Sequence, residues 1–67
     1  MIEVVVNGER RAIPAEATLL DLLAQLGLDP RVVVVEHNRH IVRRPELGDR
    51  RLAPDDAIEL VHFVGGG

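Results

Sequence analysis

Residues 57–67 read AIELVHFVGGG, a strand pattern that runs into three glycines without a polar spacer. Ile58 and Leu60 alternate with the residues beside them at the two-residue period of a β-strand. A strand this apolar belongs in the middle of a sheet, where both of its edges are paired. We therefore expect its end to project from the body of the domain and to carry the glycines outward.

The glycine tail, residues 65–67, has no side chains. Glycine lacks Cβ, so such an arm is nearly as thin as bare backbone and adopts φ values that are closed to other residues. Terminal glycines are also found at ends that merely fray. The sequence predicts one folded domain over residues 1–64, followed by a flexible tail over residues 65–67.

The first thirteen residues predict a β-hairpin. Residues 1–6 alternate between two faces, and Asn7-Gly8 is the strongest short signal for a two-residue hairpin turn. Residues 9–13 then form the returning strand. Its adjacent arginines, Arg10 and Arg11, suit the edge of a sheet, where charge discourages unwanted strand pairing.

One short helix is predicted over residues 19–26, where leucines recur at helical spacing. Thr18 is placed to cap its N-terminus, with Asp21 three residues later as the partner of a capping box. Gly27 follows where a left-handed glycine closes a helix, and a proline soon after prevents its continuation.

The second half of the chain predicts further strands. Residues 32–36 are β-branched without alternation, which indicates a strand with apolar neighbours on both faces. Residues 41–42 form a short strand, and 43–51 form a loop with one helical turn at 45–47. The element order predicts an α+β fold, a mixed sheet of four to five strands with one helix packed across one face.

Composition excludes several classes of function. The chain has 67 residues, a net charge of −3, a single aromatic residue and no cysteine. An acidic chain with so little stacking surface is not expected to bind nucleic acid. The longest apolar run is four residues, so neither a membrane span nor a signal peptide is expected. The default expectation is a cytoplasmic protein.

The polar residues do not form a recognisable catalytic or metal site. His37 and His40 are separated by a predicted turn, and a zinc site needs three or four converging ligands. Asp55 and Asp56 are adjacent in a turn, where capping is a simpler role than acid–base catalysis. The chain contains no serine, so no serine nucleophile is available. We expect no metal site, no bound cofactor and no enzyme activity of its own.

The whole pattern resembles the ThiS family of sulfur carrier proteins, within the ubiquitin-like β-grasp superfamily, over essentially all 67 residues. The resemblance is carried by the opening strand with Asn7-Gly8 and by the segments TLLDLL, VVEHN, IVRR, DAIELV and FVGGG. One departure is the turn Asn38-Arg39, where the family usually has Asn-Gly. That difference leaves the geometry of the turn open.

The resemblance implies a carrier whose reacting group is the carboxylate of Gly67. In the family, a ThiF-like adenylating enzyme uses Mg-ATP to activate this carboxylate, and a persulfide-bearing protein supplies sulfur to form a thiocarboxylate. A ThiG-like thiazole synthase then takes the sulfur into the thiazole ring of thiamine. Gly65 and Gly66 would be the arm threaded into these partners, and Mg-ATP would bind the adenylating enzyme.

A docking surface is also expected beside the tail. Val61 and Phe63 alternate away from Ile58 and Leu60, so they should face solvent if that pair faces the helix. Val64 and Val5 would extend the surface. The alternatives are the small subunit of molybdopterin synthase, another ubiquitin-like sulfur carrier, a protein modifier conjugated through Gly67, and a β-grasp adaptor whose tail plays no part in its function.

Overall fold

A computed structural model of the chain describes residues 1–62, and these form one mixed five-stranded sheet with one α-helix. The strands lie side by side in the order β2-β1-β5-β3-β4. The central strand, β5, is parallel to β1 and antiparallel to β3. This arrangement confirms the predicted fold class. The elements are β1 (Ile2–Val6), β2 (Glu9–Ile13), α1 (Leu19–Leu26), β3 (Val33–His37), β4 (His40–Val42) and β5 (Ala57–His62), with short 3-10 helices at Pro30–Val32 and Arg44–Asp49.

The helix begins and ends where the local sequence predicts. The Thr18 hydroxyl accepts a hydrogen bond from the Asp21 backbone N–H at 3.2 Å, and the Asp21 carboxylate accepts one from the Thr18 N–H at 3.0 Å. Gly27 closes the helix in the left-handed conformation, with φ at 72°. This capping box satisfies two N–H groups that the helix itself leaves unpaired, and a cap of this kind contributes about 1 kcal/mol.

The core lies between α1 and one face of the sheet, which we call the inner face. Its side chains are aliphatic, and burial of each large one contributes roughly 1.5–3 kcal/mol. Leu47, from the second 3-10 helix, joins this core and closes its open side. The other fully buried large side chains are Val4, Ile13, Leu19, Leu22, Leu23, Val35 and Ile58.

The strand predicted at residues 32–36 is displaced by one residue, because β3 runs from Val33 to His37. Val33 and Val35 are buried on the inner face, but Val34 is 38% exposed on the opposite, outer face, and Val32 belongs to a 3-10 helix. Among residues 1–62, the apolar side chains Val34, Ile41 and Val61 stay exposed on the outer face. The apolar neighbour predicted on that face is Val61, which lies opposite Val34.

The remaining local predictions differ from the structure only in extent. The turn after β3 keeps positive φ at both central residues, 50° at Asn38 and 73° at Arg39, as a type I′ hairpin turn requires. The arginine is therefore accommodated without a change of turn type. The helical turn predicted at 45–47 is part of a longer 3-10 helix, Arg44–Asp49. The predicted boundary at residue 64 lies outside the described residues.

Candidate functional site

The end of the central strand is held firmly by its neighbours. Every residue of β3 pairs with β5, from His37 opposite Ile58 to Val33 opposite His62. On the other side β1 ends at Val6, and the Asn7 side chain continues the pairing: its Oδ1 accepts from the Leu60 N–H at 2.7 Å and its Nδ2 donates to the Leu60 carbonyl at 3.3 Å. The sheet thus fixes the direction of the chain up to residue 62.

The start of the same strand is fixed by a nearly buried pair, His37 and Asp56. The His37 Nε2 lies 2.6 Å from Asp56 Oδ2, and the side chains are only 9% and 12% exposed. The same carboxylate accepts hydrogen bonds from the Ala53 N–H at 2.8 Å and from the Asn38 Nδ2 at 3.1 Å. Asp56 therefore joins the end of β3 to the turn that leads into β5. Capping of this turn, predicted for the paired aspartates, is confirmed for Asp56, whereas the Asp55 side chain pairs with Arg10.

The ionisation of Asp56 is governed by two opposing effects. Burial opposes the charged form, but hydrogen bonds from His37, the Ala53 N–H and Asn38 outweigh it, so the pKa of Asp56 lies below its ordinary value. The carboxylate is thus held ionised as a structural acceptor. Its neighbour Asp55 is exposed and forms an ion pair with Arg10 at 3.1 Å.

The outer face of the sheet carries the described part of the predicted docking surface. Val61 is 59% exposed and points away from the buried Ile58, as predicted. Val5 is half-buried on the same face, where it pairs with Ala57. Two further exposed apolar residues on this face, Val34 and Ile41, were missed. Val34 lay in a run without alternation, and the face of Ile41 depends on the strand register, which the sequence does not reveal.

The other predicted site residues lie outside the described residues. These are Phe63 and Val64 of the docking surface, Gly65 and Gly66 of the threaded arm, and Gly67 with its reactive carboxylate. Val5 and Val61 are thus the two predicted site residues that the structure places. Their contact with a partner stays a prediction.

The histidines are not brought together into a metal site. His37 is engaged with Asp56, and His40 and His62 are exposed. Within residues 1–62 no three histidine or acidic side chains are grouped to hold a metal ion. In the same part of the chain, no helix is long and apolar enough to cross a membrane.

An open groove of about 390 Å³ lies beside α1, away from the outer face. Glu16 and Asp21 are its acidic residues, but the Asp21 carboxylate already caps the helix. The groove is lined by Pro14, Glu16, Ala17, Asp21 and Gln25.

Comparison with known proteins points to one family. The model of the ThiS family matches residues 4–67. The "Sulfur carrier protein ThiS" of Bacillus subtilis is 44% identical over 50 residues, which is 75% of this chain and 76% of that protein. The crystal structure of the thiamine biosynthesis protein ThiS from Geobacter metallireducens superposes with a TM-score of 0.84 at 26% identity, covering 98% of this chain and 100% of that one.

Two longer proteins are also similar to the chain. A "Thiazole synthase" of Magnetococcus marinus is 48% identical over 61 residues, or 91% of this chain. A "Thiazole synthase" of Paramagnetospirillum magneticum is 39% identical over 66 residues, or 98% of this chain. The chain spans about one fifth of the length of these two relatives, 19% and 20%.

Proposed function

Because the chain belongs to the ThiS family, we propose that it is a sulfur carrier protein that supplies sulfur for the thiazole ring of thiamine. The reacting group is the terminal carboxylate of Gly67. In this role the chain is a carrier that partner enzymes modify and consume, and it has no catalytic residue of its own. The observation that carries the proposal is the family match, which extends through the glycine tail.

The chemistry begins with activation of the carboxylate. A carboxylate is a poor acyl donor, because its oxygen is a poor leaving group. A terminal carboxyl has an ordinary pKa of about 3.5, so it is ionised at neutral pH. One carboxylate oxygen attacks the α-phosphate of Mg-ATP on a ThiF-like adenylating enzyme, pyrophosphate leaves, and an acyl adenylate is formed.

Sulfur then replaces the adenylate. The terminal sulfur of a persulfide on a donor protein attacks the acyl carbon, and AMP leaves. A thiol cleaves the resulting acyl disulfide, so that the carrier keeps one sulfur as a thiocarboxylate and the other sulfurs form a disulfide. This thiocarboxylate is the form that gives its sulfur to a ThiG-like thiazole synthase. Two relatives named thiazole synthase contain a segment similar to nearly the whole chain, which supports that enzyme as the acceptor.

The fold suits a carrier that offers its end to other proteins. β5 is the central strand, and Asn7 and β3 fix it up to His62, directly before the sequence FVGGG. Glycines 65 and 66 would pass through a narrow channel, because a residue without Cβ needs little more room than the backbone. Val61, Phe63, Val64 and Val5 are proposed to contact the partner beside the channel.

The alternatives differ in the fate of the activated carboxylate. A small subunit of molybdopterin synthase, or another ubiquitin-like carrier, would form the same thiocarboxylate and pass its sulfur elsewhere. A protein modifier would form an amide bond to a lysine of its target. The relatives named above are ThiS proteins and thiazole synthases, and we therefore favour the thiazole pathway.

Intact-protein mass spectrometry tests the proposal. The chain is incubated with a ThiF-like enzyme, Mg-ATP and a persulfide donor, and the expected product carries one sulfur in place of one oxygen in the C-terminal peptide. Addition of a thiazole synthase and its other substrates should return the carrier to its carboxylate form. A chain without Gly66 and Gly67 is the control and should not react. Absence of the mass change in the parent chain would refute the carrier function.

A further inference from the structure

The outer face of β3, β4 and β5 combines exposed apolar side chains with two acidic ones. Val34, Ile41 and Val61 are 38%, 66% and 59% exposed, and they lie on three adjacent strands. Val34 is directly opposite Val61, and Ile41 is opposite Glu36. Glu59 completes the group, which we call the outer patch: Val34, Glu36, Ile41, Glu59 and Val61.

The two glutamates of the outer patch face one another across the β3–β5 ladder. Glu36 and Glu59 are register partners, and directly opposed residues on one face have Cβ atoms about 4.5–5.5 Å apart. Like charges placed directly opposite one another destabilise a sheet. Among residues 1–62 neither has an ion-pair partner, and residues 63–67 contain no basic side chain.

The basic side chain at the far edge of the same face is already engaged. Arg10, on β2, pairs with Glu3 at 3.2 Å and with Asp55 at 3.1 Å. The outer face therefore has two parts. At β1 and β2 the positive and negative side chains pair with one another. At β3 and β5 two negative side chains have no partner of opposite charge among residues 1–62, and exposed apolar side chains surround them.

Two negative charges among exposed apolar side chains are complementary to a protein surface that presents a basic side chain within an apolar patch. An arginine or lysine projecting from an apolar patch would lay its aliphatic stem on Val34 and Val61 and place its charge between the carboxylates. Arginine suits the position best, because its planar guanidinium donates to two carboxylates at once. Phosphate groups would be repelled, which disfavours a nucleic acid as the occupant.

We propose that the outer patch docks on the thiazole synthase, and that Glu36 and Glu59 together receive one basic side chain of that enzyme. This assignment depends on the proposed function. Glu59 and Val61 lie on β5, the strand that leads into the tail sequence. Two relatives named thiazole synthase contain a segment similar to nearly the whole chain, which favours that enzyme as the occupant. Binding of that basic side chain then relieves the like-charge repulsion between Glu36 and Glu59 that destabilises the free carrier.

The test is a direct binding measurement with the full chain and a purified bacterial thiazole synthase that is encoded as a separate polypeptide. We expect the double variant Glu36→Gln/Glu59→Gln to bind about tenfold more weakly at low salt, with the difference shrinking as salt rises. The same variant should melt about 2–5 °C higher, because a like-charge pair has been removed. The matched control is Glu9→Gln/Glu16→Gln, which removes two charges from exposed glutamates outside the patch and should bind as the parent does.

Several results would overturn the assignment. The double variant binding within twofold of the parent would remove the glutamates from the interface. An equal loss with Glu9→Gln/Glu16→Gln would show that only the overall charge of the carrier matters. A parent chain that forms dimers by light scattering, when the double variant does not, would make a second copy the occupant. Failure of the parent to form a thiocarboxylate refutes the proposed function instead, so the two failures can be told apart.

Discussion

Replacement of Asp56 by asparagine tests the view that its carboxylate anchors the start of the central strand. The carboxylate accepts from His37 and the Ala53 N–H at Oδ2 and from Asn38 at Oδ1. Asparagine has one oxygen, so with that oxygen at the Oδ2 position its amide nitrogen would face the Asn38 Nδ2, donor against donor. Asn38 cannot simply turn over, because its Oδ1 accepts from the Ala57 N–H at 2.9 Å.

The size of the effect follows from these contacts. Asn38 is exposed and water can satisfy its amide, so the main loss is that of the negative charge: a hydrogen bond to a charged group contributes about 1.5–3 kcal/mol, and one to a neutral group about 0.5–1.5 kcal/mol. We expect Asp56→Asn to lower the free energy of unfolding by about 2–3 kcal/mol. In a domain of this size 1 kcal/mol corresponds to about 4–8 °C, so the melting temperature should fall by about 10–20 °C.

The pH dependence gives an independent check. The folded pKa of Asp56 is lowered, so its contribution to stability is present above the unfolded pKa of about 3.9 and is lost as pH falls through the folded pKa. The stability difference that arises from the charge of Asp56 should therefore be present at neutral pH. It should shrink below about pH 4, as the parent carboxylate becomes protonated.

Circular dichroism is the suitable assay, since the chain has no tryptophan or tyrosine. Asp55→Asn is the matched control: Asp55 has φ of 67°, which asparagine tolerates, and its ion pair with Arg10 is exposed. That control should change stability by less than about 1 kcal/mol. Equal stability of Asp56→Asn and the parent, or an equal loss in the control, would contradict this account of the turn.

Three further substitutions test other parts of the molecule. Arg39→Gly should raise the free energy of unfolding by about 0.5–1 kcal/mol, because glycine relieves the left-handed conformation at φ 73°, and thermal melting checks this. Asn7→Gly still allows positive φ at the turn but removes both hydrogen bonds to Leu60. The free energy of unfolding should fall by about 1 kcal/mol, and the Leu60 amide should exchange its hydrogen faster than in the parent. Phe63→Ala should slow adenylation several-fold without unfolding the domain, since an aromatic anchor is removed. Unchanged adenylation kinetics would remove Phe63 from the interface.

Local signals in the sequence account for most of what could be predicted. The helix follows from Thr18, Asp21 and Gly27, which act within a few residues of one another and need no knowledge of the rest of the fold. The hairpin at Asn7-Gly8 is equally local. The mixed sheet follows from the order of elements and the apolar character of β5, since a hairpin, a helix and three further strands leave few topologies.

Features that depend on strand register could not be predicted. His37 and Asp56 are 19 residues apart, and only the pairing of β3 with β5 brings them together. Separately, each had a simple explanation as a surface or turn residue. The face of Val34 could not be predicted for the same reason, because a run of valines does not show which of them faces the helix. The outer patch required the register of three strands at once.

The two faces of the sheet serve different physical requirements. The inner face is aliphatic and closed by α1, and there each side chain adds to stability through burial. On the outer face Glu36 and Glu59 carry like charges directly opposite one another, an arrangement that destabilises a sheet. A small domain has only roughly 3–10 kcal/mol to lose, so an uncompensated pair is a measurable cost. Under the docking assignment, that repulsion is relieved only in the complex. The same two carboxylates then lower the folding stability of the free carrier and favour the complex.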